Sequence, residues 1–198
     1  MIKVLRIFDP ADAYMKYFLS KSDLNGKTYA DQMSDFFSDG FGQSNYLSEA
    51  LNKEGYSTLD IIPSFKLAQK TWAKENNSFY EERNWKLDIL NQQITNYQPE
   101  ILFFVGWGYG YNFIKEVKES HSCVKKTVLW IGESIPEASF FQYYDAIITC
   151  DEKNKVDLSS KGFLSFQVHH AFNPKLIQDT ARVGKKQSAI GFAGSLKA

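Results

Sequence analysis

The chain has 198 residues, with Lys plus Arg and Asp plus Glu balanced at 23 each and 43% of its side chains hydrophobic. That length suits one large domain with a sizeable core. The charge balance advertises no nucleic-acid or anionic-membrane partner and excludes a strongly basic chain. Aromatic residues reach 16%, enough to fill a core and also to line cleft mouths where flat or sugar-like ligands stack.

Residues 3–8 read as a first strand, and the start of the chain has no apolar signal-peptide core. Asp9 follows that strand. The stretch 9–42 is rich in Tyr and Phe, which argues against a floppy linker. Within it, residues 29–37 are expected to form a helix and Asp39-Gly40-Phe41-Gly42 a tight turn. Glycines just before a helix let a ligand approach backbone N–H groups at its positive end, so Gly40, Gly42 and Ser44 are candidate ligand contacts; a plain turn with a helix cap fits equally. Neither a dinucleotide fingerprint nor a P-loop lysine is present.

A helix over 45–54, stopped by Gly55, leads to a second strand over 57–62. Residues 79–96 carry Trp85, Ile89, Leu90 and Ile94 at helical spacing, which predicts one face packed on a sheet. The run Ile101-Leu102-Phe103-Phe104-Val105 is continuously apolar, as in a parallel strand buried on both faces. After it come alternating glycines and rings, Gly106-Trp107-Gly108-Tyr109-Gly110. Trp107 and Tyr109 either line a ligand rim or cap the end of the sheet.

Helix 111–120 precedes a fourth strand, 127–131, and the loop Gly132-Glu133-Ser134-Ile135-Pro136-Glu137. Glu133 is placed to accept substrate hydroxyls or act as a base, whereas Glu137 reads as an exposed helix-start residue. Strand 146–149 is followed by Asp151, read as the N-cap of a helix over 154–161, which Gly162 ends. Strand 165–169 runs into His169-His170 and Asn173-Pro174. Alternation sends the two imidazoles to opposite sides, so one of them either meets a ligand or is satisfied in a hinge. His121, on the opposite edge, reads as exposed. Cys123 and Cys150 are too few for a disulfide framework and lack metal-ligand spacing, so both read as small buried hydrophobes, and no metal site is expected.

Strands alternating with helices imply right-handed βαβ units, hence a doubly wound, mostly parallel, Rossmann-like α/β sheet with helices on both faces. In such sheets ligands bind beyond the carboxyl ends of the strands. No apolar run approaches the roughly twenty residues of a membrane span. The expectation is a cytoplasmic protein with no integral membrane segment and no nucleic-acid partner.

Several segments resemble the N-terminal half of the CgeB-like (spore-maturation-type) glycosyltransferases: Thr28-Tyr29-Ala30-Asp31-Gln32-Met33, Phe41-Gly42-Gln43-Ser44-Asn45-Tyr46-Leu47, Gly55-Tyr56 and Leu67–Glu75. Pro99-Glu100-Ile101-Leu102-Phe103 and the hinge-like His170-Ala171-Phe172-Asn173-Pro174 follow in the same order. Ile190-Gly191-Phe192-Ala193-Gly194-Ser195-Leu196 resembles the opening of that family's second domain.

The resemblance implies the N-terminal, acceptor-side domain of a GT-B fold over residues 1–187, with residues 188–198 beginning a donor-side domain. It implies transfer of a sugar from a nucleotide-sugar to a glycan, lipid-linked or protein acceptor. No metal or resident cofactor is required, and Gly194 and Ser195 fall in the first turn of the donor side. A base, if this half supplies one, would be Asp9, Asp39, Glu133 or a hinge histidine. The loop Gly132-Glu133-Ser134 departs from the family's more neutral one. The alternative reading is a non-catalytic ligand-binding or protein-interaction module on a flavodoxin-like sheet.

Overall fold

The structure is a computed structural model that describes residues 1–40, 44–106, 109–133 and 137–169. Gly42, Trp107, His170, Asn173, Gly194 and Ser195 lie outside the described residues, as do the expected strand 188–198 and the domain boundary before it.

The elements run β1 (Lys3–Phe8), α1 (Asp12–Lys21), α2 (Tyr29–Ser38), α3 (Tyr46–Lys53), β2 (Ser57–Ile61), α4 (Lys66–Glu75), α5 (Trp85–Tyr97) and β3 (Ile101–Val105). They continue with α6 (Tyr111–Ser120), β4 (Lys126–Ile131), a 3-10 turn (Ala138–Phe141), β5 (Ala146–Thr149), α7 (Glu152–Ser160) and β6 (Ser165–Gln167). The strands form one sheet in the order β2-β1-β3-β4-β5-β6, and every pairing is parallel. The chain therefore has the doubly wound α/β fold expected of its alternating pattern. Its direction of winding reverses between β1 and β3.

Period-two alternation sorts the strand side chains onto two unlike faces. Leu5, Ile7, Ile61, Leu102, Phe104, Leu129, Ile131 and Ile147 are fully buried against α5, α6, the 3-10 turn and α7, which supply Leu90, Ile94, Ile114, Phe141 and Leu158. Right-handed crossovers explain why these connections share one side, since each moves the chain the same way across the sheet. The β1-to-β2 connection moves the other way. It places α1 and α2 on the opposite face, where Phe8 and Ile62 join Tyr14, Phe18, Met33, Phe36 and Phe65 in a second cluster. Several of its rings meet edge to face, Phe18 and Phe65 at 5.8 Å and 88° among them. Further along that face, Phe103, Val128, Trp130 and Ile148 are only half-buried, and Phe166 of β6 is exposed.

The aromatic stretch before α3 holds two helices rather than one. The helix α1 has a weak pattern, with Tyr14, Met15 and Phe18 alone turned inward. In α5, Ile89, Leu90 and Ile94 are buried as the spacing predicts, but the helix begins at Trp85 and not at residue 79. The preceding turn is fixed instead by Asp88, whose carboxylate accepts from the Glu81 N–H and the Asn84 amide. Gly55 and Gly162 both sit at φ +86°, the left-handed conformation that ends a helix without a Cβ penalty. Cys123 and Cys150 are free and half-buried rather than in the core. His121 is also half-buried, at the C-terminal end of α6.

One polar group lies inside the sheet. Arg6 of β1 and Asp60 of β2 are register partners, 2% and 8% exposed, with Arg6 Nη1 2.6 Å from Asp60 Oδ1. Arg6 Nη1 also donates to the Ser44 carbonyl at 3.0 Å, and Ser48 Oγ donates to Asp60 Oδ1 at 2.8 Å. Burial pushes the guanidinium pKa below its ordinary value, opposed by the charge and hydrogen bond of Asp60.

Removing one member of such a pair strands the other charge in the interior. Arg6→Leu should therefore cost about 3–5 kcal/mol in urea unfolding, and the double variant Arg6→Leu/Asp60→Leu should recover much of that loss. A second expectation concerns acid. Burial lowers the His121 pKa below its usual 6.5, so the unfolded chain takes up this proton first. Stability should fall as pH drops below the ordinary imidazole range, and His121→Gln should flatten that part of the pH profile.

Candidate functional site

Ligands of open α/β sheets bind where the winding reverses, outside the carboxyl ends of the strands. Here that point lies between β1 and β3. Each strand runs straight into a polar or aromatic residue, Asp9 after Phe8 and Tyr109 beyond Val105 and Gly106. The structure brings these two together. Tyr109 Oη donates to Asp9 Oδ2 at 3.4 Å.

Asp9 has stronger partners that the sequence pattern did not reveal. Lys86 Nζ donates to Oδ2 at 2.6 Å, and the Ser64 backbone N–H donates to Oδ1 at 2.7 Å. Lys86 is the second residue of α5, and Ser64 belongs to the turn between β2 and α4, so the carboxylate ties three segments at one edge. The ion pair is partly exposed, with side-chain accessibilities of 34% for Lys86 and 22% for Asp9.

Tyr109 is 4% exposed and packs on Phe104 and Phe113 at 5.5 and 5.2 Å. Burial, then the nearby Asp9 charge, drives its hydroxyl pKa far above the ordinary phenol value. It therefore stays a neutral donor at any physiological pH. Lys86 Nζ lies 5.4 Å from the centre of its ring, a cation–π distance. One residue earlier on α5, the Trp85 ring lies 5.5 Å from Lys66 Nζ of α4. The cluster thus presents a positioned ammonium among aromatic faces. Both Asp9 oxygens are occupied in positioning it.

The other candidate residues are spread along the chain. Asp39 ends α2, exposed, and accepts from Tyr14 Oη at 2.6 Å, with burial and then this bond pushing that hydroxyl's pKa up. The Gly40 carbonyl accepts from Tyr46 Oη at 2.9 Å. Ser44 Oγ donates to the Phe37 carbonyl at 3.1 Å and its carbonyl takes the Arg6 bond, so both of its polar groups serve the fold. Glu133 is exposed beyond β4, two strands along from β1, and its carbonyl accepts from Asn154 Nδ2 at 2.9 Å. Asp9, Asp39 and Glu133 are thus held by different segments, through Ser64 and Lys86, Tyr14, and Asn154 respectively.

His169 is exposed just past β6. Asp151 caps α7 as the sequence indicates, its Oδ1 accepting from Lys153 N at 2.9 Å. Among the described residues no cluster of His, Cys, Asp and Glu could hold a metal ion, and no helix is long and apolar enough to cross a membrane.

Tyr109 separates two roles. Tyr109→Phe removes only a long hydrogen bond and should cost under about 1 kcal/mol in urea unfolding. Tyr109→Ala empties a packed ring site and should cost about 3–5 kcal/mol. Equal losses in the two variants would show the hydroxyl, not the ring, to be the stabilising part. No protein-family model matches this chain, and neither does any curated protein or solved structure.

Proposed function

We propose that this chain is the acceptor-side domain of a glycosyltransferase of GT-B architecture, binding a sugar-bearing or hydroxylated acceptor at the reversal point between β1 and β3. The observation that carries the reading is the Asp9–Lys86–Tyr109 cluster on the ligand-binding edge of an all-parallel sheet. Its ammonium is held by a carboxylate and flanked by a buried neutral phenol. Such a group donates hydrogen bonds to substrate oxygen and stabilises negative charge developing near it. Asp9 on this reading is a positioning residue, and the nucleotide-sugar enters as co-substrate.

A second reading has its own support. With both Asp9 oxygens taken by Ser64 N and Lys86, the cluster contains a fixed cation and no carboxylate held ready as a base. That suits a non-catalytic ligand-binding module on a flavodoxin-like sheet.

The two readings part on a transfer assay. The full-length protein, screened against glycan, lipid and peptide acceptors with several nucleotide-sugars, should transfer sugar. Residues 1–198 alone should bind acceptor without transferring. Lys86→Ala should lower transfer by about tenfold to a thousandfold while leaving the far-ultraviolet spectrum unchanged. Binding without transfer by the full-length protein would establish the second reading. Transfer by residues 1–198 alone would overturn the division of labour.

A further inference from the structure

One face of the sheet is only partly covered by the described helices. Phe103 of β3 and Val128 of β4 are register partners, as are Ile148 of β5 and Phe166 of β6. Val128 also pairs with Ala146, two residues before Ile148, so period-two alternation puts all of them on one side. Phe103, Val128 and Ile148 are half-buried. At β6 the same side shows Leu164, Phe166 and Val168, at 60%, 49% and 50% exposure.

Parallel sheets are normally buried on both faces. Here α6, the 3-10 turn and α7 supply Ile114, Phe141 and Leu158 to the opposite face. The aromatic cluster of α1 and α2 reaches along this one to Val105 of β3.

The sequence that continues from this edge indicates the occupant. Residues 170–198 lie outside the described residues, but the stretch 173–184 carries the signals of a short amphipathic helix. Asn173 suits an N-cap, Pro174 the first helical position and Gly184 the residue after the last turn. At about 100° per residue, Leu176, Ile177, Thr180, Ala181 and Val183 fall within an arc of about 160°. Lys175, Gln178, Asp179 and Arg182 fall within the remaining arc. A helix over 174–183 would be about 15 Å long, close to the roughly 16 Å of a five-residue strand. Residues 170–173 can reach about 13 Å at most, little more than two strand spacings of about 4.8 Å each. That reach sets such a helix over β5 and β4, on the side that α7 does not occupy.

We propose that residues 174–183 form an amphipathic helix that docks on the β4–β6 face and closes the second layer of the domain. Leu176, Ile177 and Ala181 turn towards Ile148 and Phe166, and Lys175, Asp179 and Arg182 face water. So short a helix is marginal on its own in water, and its persistence depends on this docking.

Amide hydrogen exchange on the full 198-residue chain tests this, and the readout does not depend on sugar transfer. The amides of 178–183 should exchange at least about a hundredfold more slowly than in an unstructured peptide of that sequence. Phe166→Asp, at an exposed strand position, should remove most of that protection while the amides of β1 and β3 keep theirs. Ile177→Asp should do the same from the other side of the contact, and Gln178→Glu, on the polar arc, should not. Absence of protection at 178–183 would overturn the inference. So would protection that survives both Phe166→Asp and Ile177→Asp, which puts the segment elsewhere. Protection and sedimentation that grow with protein concentration would make a second copy of the chain the occupant, and would overturn it too.

Discussion

A guanidinium and a carboxylate face each other across two parallel strands inside this molecule, and much of the rest is arranged around them. Arg6 and Asp60 lie opposite one another in the β1–β2 register. A slip of one residue would send one charge to the face lined by Leu5, Ile7 and Ile61. The pair also reaches beyond the sheet. Its bonds to the Ser44 carbonyl and Ser48 Oγ pin the start of α3 over β2, and the guanidinium lies 4.1 Å from the Phe8 ring. Phe8 is the last residue of β1, so the interaction that fixes register also fixes where Asp9 leaves the sheet. Replacing both charges with apolar groups would keep the burial but lose this pinning of strand, helix and loop together.

Most of the architecture was legible because long-range order follows from short-range patterning. Strands over 3–8, 101–105 and 146–149 and the helix over 111–120 match the structure at both ends, since runs bounded by Gly or Asp leave few alternatives. The α1 helix was not legible. Its apolar residues bury against α2 and β1 in a ring cluster, and its own periodicity is weak. Among candidate site residues, Asp9 and Tyr109 were nominated by position alone, as groups following strands. Lys86 and Ser64 escaped because nothing local distinguishes a lysine in a first helical turn from any solvated one. A clue to the buried pair was present, however: Leu5-Arg6-Ile7 and Leu59-Asp60-Ile61 each place one charge inside an apolar run, with opposite signs.

The cluster at the reversal point changes what a carboxylate after the first strand means in this chain. A carboxylate in that place invites a role in proton transfer. Here it joins the β2–α4 turn to the first turn of α5 and serves as the fixed end of a lysine. The aromatic residues around it have a matching function. Tyr109 is too buried to ionise and so adds a donor without adding charge, while its ring supports the ammonium from the side. Rigidity at this edge comes from the core itself, because Tyr109 packs on Phe104 and Phe113.

The place of β1 in the sheet has a consequence for how the chain is made. Val4 pairs with Thr58 on one side and with Ile101 on the other, so the earliest of these six strands occupies an interior position. During translation both of its edges stay open until β2 and then β3 emerge. At about 5–20 residues per second that leaves it exposed for several seconds. Only after β3 is available can the remaining strands add outward one at a time, each through a short local crossover. Assembly of this protein is thus governed by a waiting strand, whose Lys3 and Arg6 break the apolar run that would otherwise favour pairing with a neighbouring nascent chain.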